Sequence, residues 1–220
     1  MVVKHDFVGS ESCREVVPHH ARRPAWFYLR FGKPFFDYTA SILLLPFFLL
    51  SCGVLLILNP FLNNGPLFFV QPRMGRNCKA FPAIKFRTMK SAKRVMRSAE
   101  DPLEFDRITT LGRIMRKSRI DELPQILNVL RGEMSLIGPR PDYFHHARRY
   151  VKTVRGYRQR HRVRPGISGL AQTELGYVNC SEGTRQKVQL DLRYVENISF
   201  QMDVYVFWRT LETVFGRKGC

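Results

Sequence analysis

The amino-acid sequence predicts an α+β fold that is helix-rich, has few short strands and is tied to a membrane by an N-terminal re-entrant helix. Three observations predict this class. No charged residue occurs between Tyr38 and Gln71. Short strand-like stretches follow that segment, and amphipathic helical patterns fill much of the remainder. The chain has 220 residues and a formal net charge of +18, which predicts an anionic partner.

Charge and cysteine content narrow the classes of partner and compartment. Anionic lipid headgroups, phosphorylated small molecules and nucleic acid would each suit so basic a chain. No helix-turn-helix, zinc-finger or aromatic RNA-binding pattern is present, so no nucleic-acid partner is expected. The 5 cysteines lack metal-ligand spacing and fit reduced cytoplasmic thiols.

Three regions are predicted along the chain. Residues 1–30 are polar and mixed and are expected to form a mobile tail. Residues 31–60 are expected to form a re-entrant membrane helix broken at Pro46, and residues 61–220 a cytoplasmic catalytic domain.

The apolar run from Tyr38 to Leu58 is long enough to cross a bilayer as one helix. Pro46 divides it into pieces of ~13 Å and ~20 Å, and neither piece covers a hydrocarbon core of ~30 Å. Arginines and lysines flank the run on both sides, which favours a cytoplasmic location for both ends. We therefore expect the helix to enter, bend at Pro46 and leave on the same face. A kinked spanning helix is the alternative.

Further elements follow from periodicity and turn signals. Residues 67–71 and 81–89 resemble strands, and residues 104–118 resemble a helix. A second helix is predicted to start at Asp121–Pro124, with Asp121 as its cap, and to end at Gly132. Residues 200–215 predict a helix that either lies on the membrane plane or packs in the core.

Two adjacent carboxylates, Asp121 and Glu122, stand at this helix start just after a run of cations. Such a pair is often only a helix cap. Here, however, Arg140 and Arg164 sit in glycine-proline turns, where their planar guanidinium groups suit phosphate oxygens. Lys85 and Arg87 alternate within a predicted strand and would share one face. Cations that hold phosphates around a carboxylate nucleophile would suit transfer from a diphosphate.

Six motifs in this order resemble the bacterial sugar transferase family, the monotopic polyprenyl-phosphate phosphoglycosyl transferases. The resemblance runs from about Phe31 to Trp208. The motifs are Lys85-Phe86-Arg87-Thr88-Met89, Asp121-Glu122-Leu123-Pro124-Gln125, Asn128-Val129-Leu130, Gly132-Glu133-Met134-Ser135, Gly138-Pro139-Arg140-Pro141 and Arg164-Pro165-Gly166-Ile167-Ser168-Gly169.

The resemblance implies an enzyme on the cytoplasmic face of the bacterial inner membrane, in contact with membrane lipid. It would transfer a sugar phosphate from a UDP-sugar to polyprenyl (undecaprenyl) phosphate, as the first membrane step of exopolysaccharide or glycoconjugate synthesis. Asp121 would attack the diphosphate, release UMP and contact Mg²⁺, while Glu122 would complete the pair. A non-catalytic, membrane-anchored basic protein that binds nucleic acid or anionic lipid is the alternative.

The resemblance also places further residues near the site. Lys85, Arg116, Arg140 and Asp191 match charged positions around it, and Arg164 matches by motif, with a structural role in its turn as the alternative. Two departures stand out. Leu45-Pro46 replaces the Ser-Pro common at the membrane break. Tyr177 replaces an expected arginine, so a contact to the donor's phosphate or sugar is expected to differ.

Overall fold

The computed structural model describes residues 26–63, 65–90, 105–175 and 181–215. Most of the predicted tail, residues 1–30, lies outside these ranges. Short π or 3₁₀ turns occur at Tyr28–Gly32, Arg76–Cys78, Phe105–Arg107, Ile120–Glu122 and Gln159–Arg162. The helices and strands are, in chain order, α1 (Lys33–Leu62), β1 (Phe68–Met74), β2 (Ala80–Phe86), α2 (Thr110–Lys117), α3 (Gln125–Leu130), β3 (Ser135–Ile137), α4 (Phe144–Thr153), β4 (Gly166–Ser168), α5 (Leu170–Leu175), α6 (Ser181–Glu196) and α7 (Phe200–Phe215).

The long helix α1 lays one face on the rest of the protein and leaves its other face uncovered. Phe48 and Leu55 are buried and pack with Phe86, Leu111 and Ile126 in one core cluster. The opposite face is apolar and exposed. The segment Tyr28–Leu62 is long and apolar enough to cross a membrane. One apolar face of α1 therefore packs on the protein while the other apolar face is uncovered, and an uncovered apolar helix face suits contact with lipid.

Both ends of α1 are attached to the same folded unit. Near its start, the Asp37 carboxylate accepts hydrogen bonds of 3.0 Å from Ser135 Oγ and from Leu136 N. Just past its end, the Asn63 amide donates to the Arg87 carbonyl over 2.6 Å. Helical structure continues through Pro46. The bend there, and the return of the chain to one face of the membrane, therefore stay predictions.

The predicted strands form an antiparallel hairpin, with their ends shifted from the expected bounds. Its register pairs Phe68 with Phe86 and Met74 with Ala80. The strand β2 ends at Phe86, so Arg87 lies beyond it. The backbone N–H of Arg87 still donates to the Leu67 carbonyl over 2.9 Å, and its side chain donates to the Pro66 carbonyl over 3.0 Å. That Arg87 shares a face with Lys85 toward a phosphate stays a prediction.

The predicted helix at 104–118 is shorter in the structure. Thr109 is extended, and its hydroxyl accepts a 2.9 Å hydrogen bond from Gly112 N, which caps α2 at Thr110. The next helix also starts later than predicted. Asp121 lies in the preceding 3₁₀ turn and caps nothing, because Pro124 holds the N-cap position of α3. Gly132 ends this segment as predicted, with a φ of 75°.

The two glycine-proline turns meet through a second small sheet, in which β3 and β4 are parallel. Gly138 and Gly166 lie back to back at this contact. A Cβ on Gly166 would come within 2.1 Å of Gly138 N, so only glycine fits. This close approach fixes the loop that follows β3, which carries Arg140.

The helix predicted at 200–215 is present as α7. Asp203 and Val206 face inward and are buried, while Phe200 and Trp208 are exposed. Asp203 accepts hydrogen bonds from Lys33 Nζ at 2.5 Å and from Tyr194 OH at 2.6 Å. α7 is therefore linked to the start of α1, and its exposed aromatic face is of the kind found at membrane interfaces.

Two helical glycines give a matched test of this packing. A Cβ on Gly112 would lie 2.1 Å from Thr88 O, whereas one on Gly53 would meet nothing within 4 Å. We expect Gly112→Ala to cost ~1–3 kcal/mol through overpacking and to lower the thermal unfolding midpoint. Gly53→Ala should leave the midpoint unchanged or raise it, because alanine favours a helix. Equal midpoints for the two variants would contradict the close contact between α2 and Thr88.

Candidate active site

Glu122 lies at the centre of an ion-pair cluster. Lys85, on β2, donates to Glu122 Oε1 over 2.6 Å. Arg140 Nη1 donates to Glu122 Oε2 over 3.0 Å, and Arg140 Nη2 contacts Oε1, so the guanidinium engages both oxygens. The carboxylate thus comes from the 3₁₀ turn Ile120–Glu122, the ammonium from β2 and the guanidinium from the loop after β3. Both oxygens of the Glu122 carboxylate have a cationic partner.

These contacts set the charge of Glu122. Burial by itself would raise the pKa of this carboxyl, but Arg140 and Lys85 hold its pKa well below the usual value. Glu122 is therefore ionised, and its lone pairs point at cations. A carboxylate in this state is a poor nucleophile and a good fixed anchor for the two cations.

Asp121 differs from its neighbour. Within the part of the chain that the structure describes, no donor forms a hydrogen bond with its carboxylate, although only 8% of the residue is exposed. Burial and the nearby Glu122 charge raise its pKa, while Lys85, Arg116 and Arg140 oppose the rise. Asp121 is thus the carboxylate of the pair with open oxygens, surrounded by the charge of three cations.

The turn that carries both carboxylates begins at a strained residue. Arg119 has a φ of 60° and lies in the left-handed region, which is unusual for a residue other than glycine. Its carbonyl accepts a 3.1 Å hydrogen bond from Glu122 N. This conformation reverses the chain between α2 and α3, and backbone strain of this kind concentrates at functional sites.

Arg116 and the cleft complete the immediate surroundings. Arg116 Nε donates to Thr88 Oγ1 over 2.9 Å, which fixes the guanidinium between α2 and the exit of β2. A small cleft beside the pair is lined by Arg73, Ala83, Lys85, Gln125, Arg140 and Pro141. Its three cations make it suitable for an anionic group such as a phosphate.

Asp191 does not contact the carboxylate pair. It is buried beside Arg160, whose Nη2 lies 2.8 Å from Asp191 Oδ2 as an ion pair without hydrogen-bond geometry. Arg160 also donates to the backbone carbonyl of Arg140 over 2.6 Å. Asp191 therefore belongs to a supporting cluster behind the Arg140 loop. Arg160 and Asp142 were not predicted, because no motif distinguishes them from the many other charged residues.

The remaining predicted residues lie elsewhere. The Arg164 guanidinium lies beside Gly132, beyond the end of α3 that is farther from the carboxylate pair, so the structure does not bring it to Asp121. Its backbone carbonyl lies against Gly138. In the structure Arg164 therefore has the structural role in its turn that was considered as the alternative. Tyr177 falls outside the described residues.

A magnesium ion would find a limited protein ligand set. The described residues contain no group of three or more histidines, cysteines and acids that could hold a metal. Mg²⁺ usually keeps several waters and takes one or two carboxylates together with substrate phosphates. Asp121, with its open oxygens, fits that pattern, whereas Glu122 is occupied by cations.

The fold and the site together define a membrane-associated protein with a buried acidic pair and cationic groups that suit phosphates. The model of the family described as bacterial sugar transferase matches residues 28–217. The chain belongs to this family.

Several curated proteins are similar to most of this chain, and their names describe related functions. The UDP-N-acetylgalactosamine-undecaprenyl-phosphate N-acetylgalactosaminephosphotransferase of Aeromonas hydrophila is 37% identical over 96% of this chain, which spans 48% of that protein. The exopolysaccharide production protein PSS of Rhizobium leguminosarum is 38% identical over 80% of this chain and 90% of its own length. The undecaprenyl-phosphate glucose phosphotransferase of Komagataeibacter xylinus is 38% identical over 90% of this chain and 38% of its own length.

The Lys85 ammonium provides a test of this electrostatic arrangement. Burial lowers its pKa to about 8, and Glu122 acts in the opposite direction. Lys85 should therefore lose its proton as the pH rises through about 8, and Glu122→Gln should move that titration to lower pH. Competitive acetylation read by mass spectrometry would measure it. Acetylation of exposed Lys117 should not respond to Glu122→Gln, and an unmoved Lys85 titration would contradict the pairing.

Proposed function

We propose that this protein transfers a sugar-1-phosphate from a UDP-sugar to polyprenyl phosphate through a covalent phospho-sugar on Asp121, releasing UMP. The observation that carries the proposal is the division of labour between the two carboxylates. Glu122 is fixed by two cations, whereas Asp121 keeps open oxygens in the same buried turn. The relatives' names, which specify transfer to undecaprenyl phosphate, support this chemistry.

In the first step, an Asp121 oxygen attacks the phosphorus that bears the sugar. The bond from that phosphorus to the bridging oxygen breaks, and UMP leaves with the electron pair. In the second step, an oxygen of the lipid phosphate attacks the same phosphorus. The acyl-phosphate bond breaks, Asp121 regains its carboxylate, and the product is a polyprenyl diphosphate sugar. The enzyme is unchanged after both steps, as covalent catalysis requires.

The surrounding cations act through position and charge. Lys85 and Arg140 are already oriented by Glu122, so they need not reorganise when a diphosphate binds. Partial burial strengthens their interaction with anionic oxygens. Mg²⁺ held by Asp121 and the diphosphate would neutralise part of the charge that develops on the leaving UMP.

The same arrangement places the site between two phases. The donor is water-soluble and the acceptor is a lipid, so the enzyme must meet both. The attachment of both ends of α1 to one folded unit supports a helix that enters and leaves on the cytoplasmic face of the bacterial inner membrane. The reaction proposed here is the first membrane step of exopolysaccharide or glycoconjugate synthesis, and the name of the Rhizobium relative, an exopolysaccharide production protein, supports a role in exopolysaccharide synthesis.

The assignment of the nucleophile can be tested by substitution. Asp121→Asn should abolish turnover while the protein folds, since an amide cannot form the acyl-phosphate. Glu122→Gln should instead weaken the hold on Lys85 and Arg140 and lower the rate by ~10- to 100-fold, the loss of charge-assisted hydrogen bonds. UMP release would be measured with undecaprenyl phosphate across UDP-sugars, including UDP-glucose and UDP-N-acetylgalactosamine.

Incubation with a sugar-labelled donor in the absence of acceptor should trap a phospho-sugar on Asp121, located by peptide mass spectrometry. A label on another residue would overturn the assignment. Parent protein that binds anionic lipid or nucleic acid but releases no UMP from any UDP-sugar would favour the non-catalytic alternative.

The topology can be tested by labelling single cysteines in a cysteine-free background, at positions 20 and 76. Both should react with an impermeant reagent in inside-out vesicles, because both flanks of α1 are placed on the cytoplasmic face. The same sites should be protected in right-side-out vesicles. Labelling of one position only, in either preparation, would mean that α1 crosses the bilayer.

A further inference from the structure

The loop that carries Arg140 is held from behind by a second arginine, Arg160. Arg160 is among the largest fully buried side chains, with 1% of its surface exposed. Its Nη2 donates to the Arg140 carbonyl over 2.6 Å, and its Nη1 donates to Asp142 Oδ2 over 2.6 Å. One planar guanidinium therefore fixes two points of the loop, on either side of Pro141.

A buried guanidinium has to be compensated, since an unpaired charge in the interior is strongly destabilising. Asp142 and Asp191 supply the compensation. Asp142 also accepts hydrogen bonds from Tyr157 OH at 2.7 Å and from Lys187 Nζ at 2.5 Å. The cluster is thus anchored to the 3₁₀ turn that bears Arg160 and to α6, neither of which contributes a group to the carboxylate pair.

The Arg140 side chain leaves the loop toward the opposite side. Its guanidinium meets Glu122 and also donates to the Ile167 carbonyl over 3.1 Å. Arginine has a long side chain, and holding it in one orientation costs rotamer entropy. Two-point contact with Glu122 is maintained only if the backbone at Arg140 is fixed as well. The sole backbone acceptor of that residue is its carbonyl, which Arg160 occupies.

We propose that Arg160 is a positioning residue for the transfer reaction, with Asp191 acting through it. Arg160 sets the backbone of Arg140 so that the guanidinium of Arg140 meets Glu122 in a fixed orientation. This inference rests on the proposed function. It assigns to Asp191 a role one step removed from the substrate rather than a contact with it. The alternative is that the cluster only stabilises the fold.

The first experiment measures the loop directly and does not depend on activity. Hydrogen exchange, read by mass spectrometry on peptides that cover 134–143, would compare the parent with Arg160→Lys and Asp191→Asn. Arg160→Lys keeps the charge but cannot bridge two acceptors with one planar group. Both variants should exchange faster in this segment. Asn59→Ala, which removes a buried hydrogen bond to the Gly65 carbonyl, is the control and should leave the segment unchanged.

The second experiment is a double-mutant cycle on kcat. Arg160→Lys alone should lower kcat by ~10- to 100-fold, the loss of hydrogen bonds to charged groups. In an Arg140→Lys background the same change should lower kcat by less than about 2-fold, because Arg160 then has no Arg140 guanidinium to position. A 2-fold change is about the scatter seen when independent substitutions are combined, so a smaller loss counts as none. A variant that only destabilises the fold, such as Asn59→Ala, should have the same effect in both backgrounds.

Two outcomes would overturn the inference. One is unchanged exchange of the 134–143 segment in both cluster variants. The other is an equal loss of kcat from Arg160→Lys with and without the Arg140 substitution. If the parent protein shows no turnover, the proposed function is contradicted instead. The hydrogen-exchange measurement then decides by itself whether Arg160 holds the Arg140 loop.

Discussion

The active site depends on one buried interaction, the contact of Glu122 with Lys85 and Arg140. Removing a carboxylate from water is costly, and the loss is recovered only when its partners are close and well aligned. Here Lys85 comes from a hairpin strand, and Arg140 comes from a glycine-proline loop that packs against the second glycine-proline turn at Gly166. Hairpin, acidic turn and loop therefore have to be in their native positions together, or the charge of Glu122 is left uncompensated.

This constraint explains several features that otherwise seem unrelated. Arg119 adopts a left-handed conformation because the chain must reverse sharply to deliver both carboxylates to one place. Gly138 and Gly166 touch because the Arg140 loop must lie close to β4. Arg160 is buried at some electrostatic cost because the same loop has to be fixed from its other side.

The membrane helix is integrated into this arrangement rather than appended to it. Asp37 holds β3, which leads directly into the Arg140 loop, and Phe48 packs against Phe86 at the end of the strand that carries Lys85. The strand that carries Lys85 and the strand that leads into the Arg140 loop are thus both in contact with α1. Contact between α1 and these strands suits the proposed transfer to an acceptor that is itself a lipid.

Local signals in the sequence were sufficient for the apolar helix, for the two strands that form the hairpin and for α7, because each rests on periodicity or turn chemistry within a few residues. They were not sufficient for the acidic pair, which was expected to open a helix and instead lies in a 3₁₀ turn before α3. The family motifs also pointed correctly to the class of protein. The partners of each charge could not be obtained this way. Arg140 and Glu122 meet across 18 residues, Arg160 and Asp191 across 31 by their numbers, and the chain has 36 lysines and arginines to choose from. Only tertiary packing decided that Glu122 is occupied while Asp121 stays open, that Asp191 supports the loop from behind, and that the Arg164 side chain lies away from the carboxylate pair, because burial and geometry determine which cation pairs with which acid.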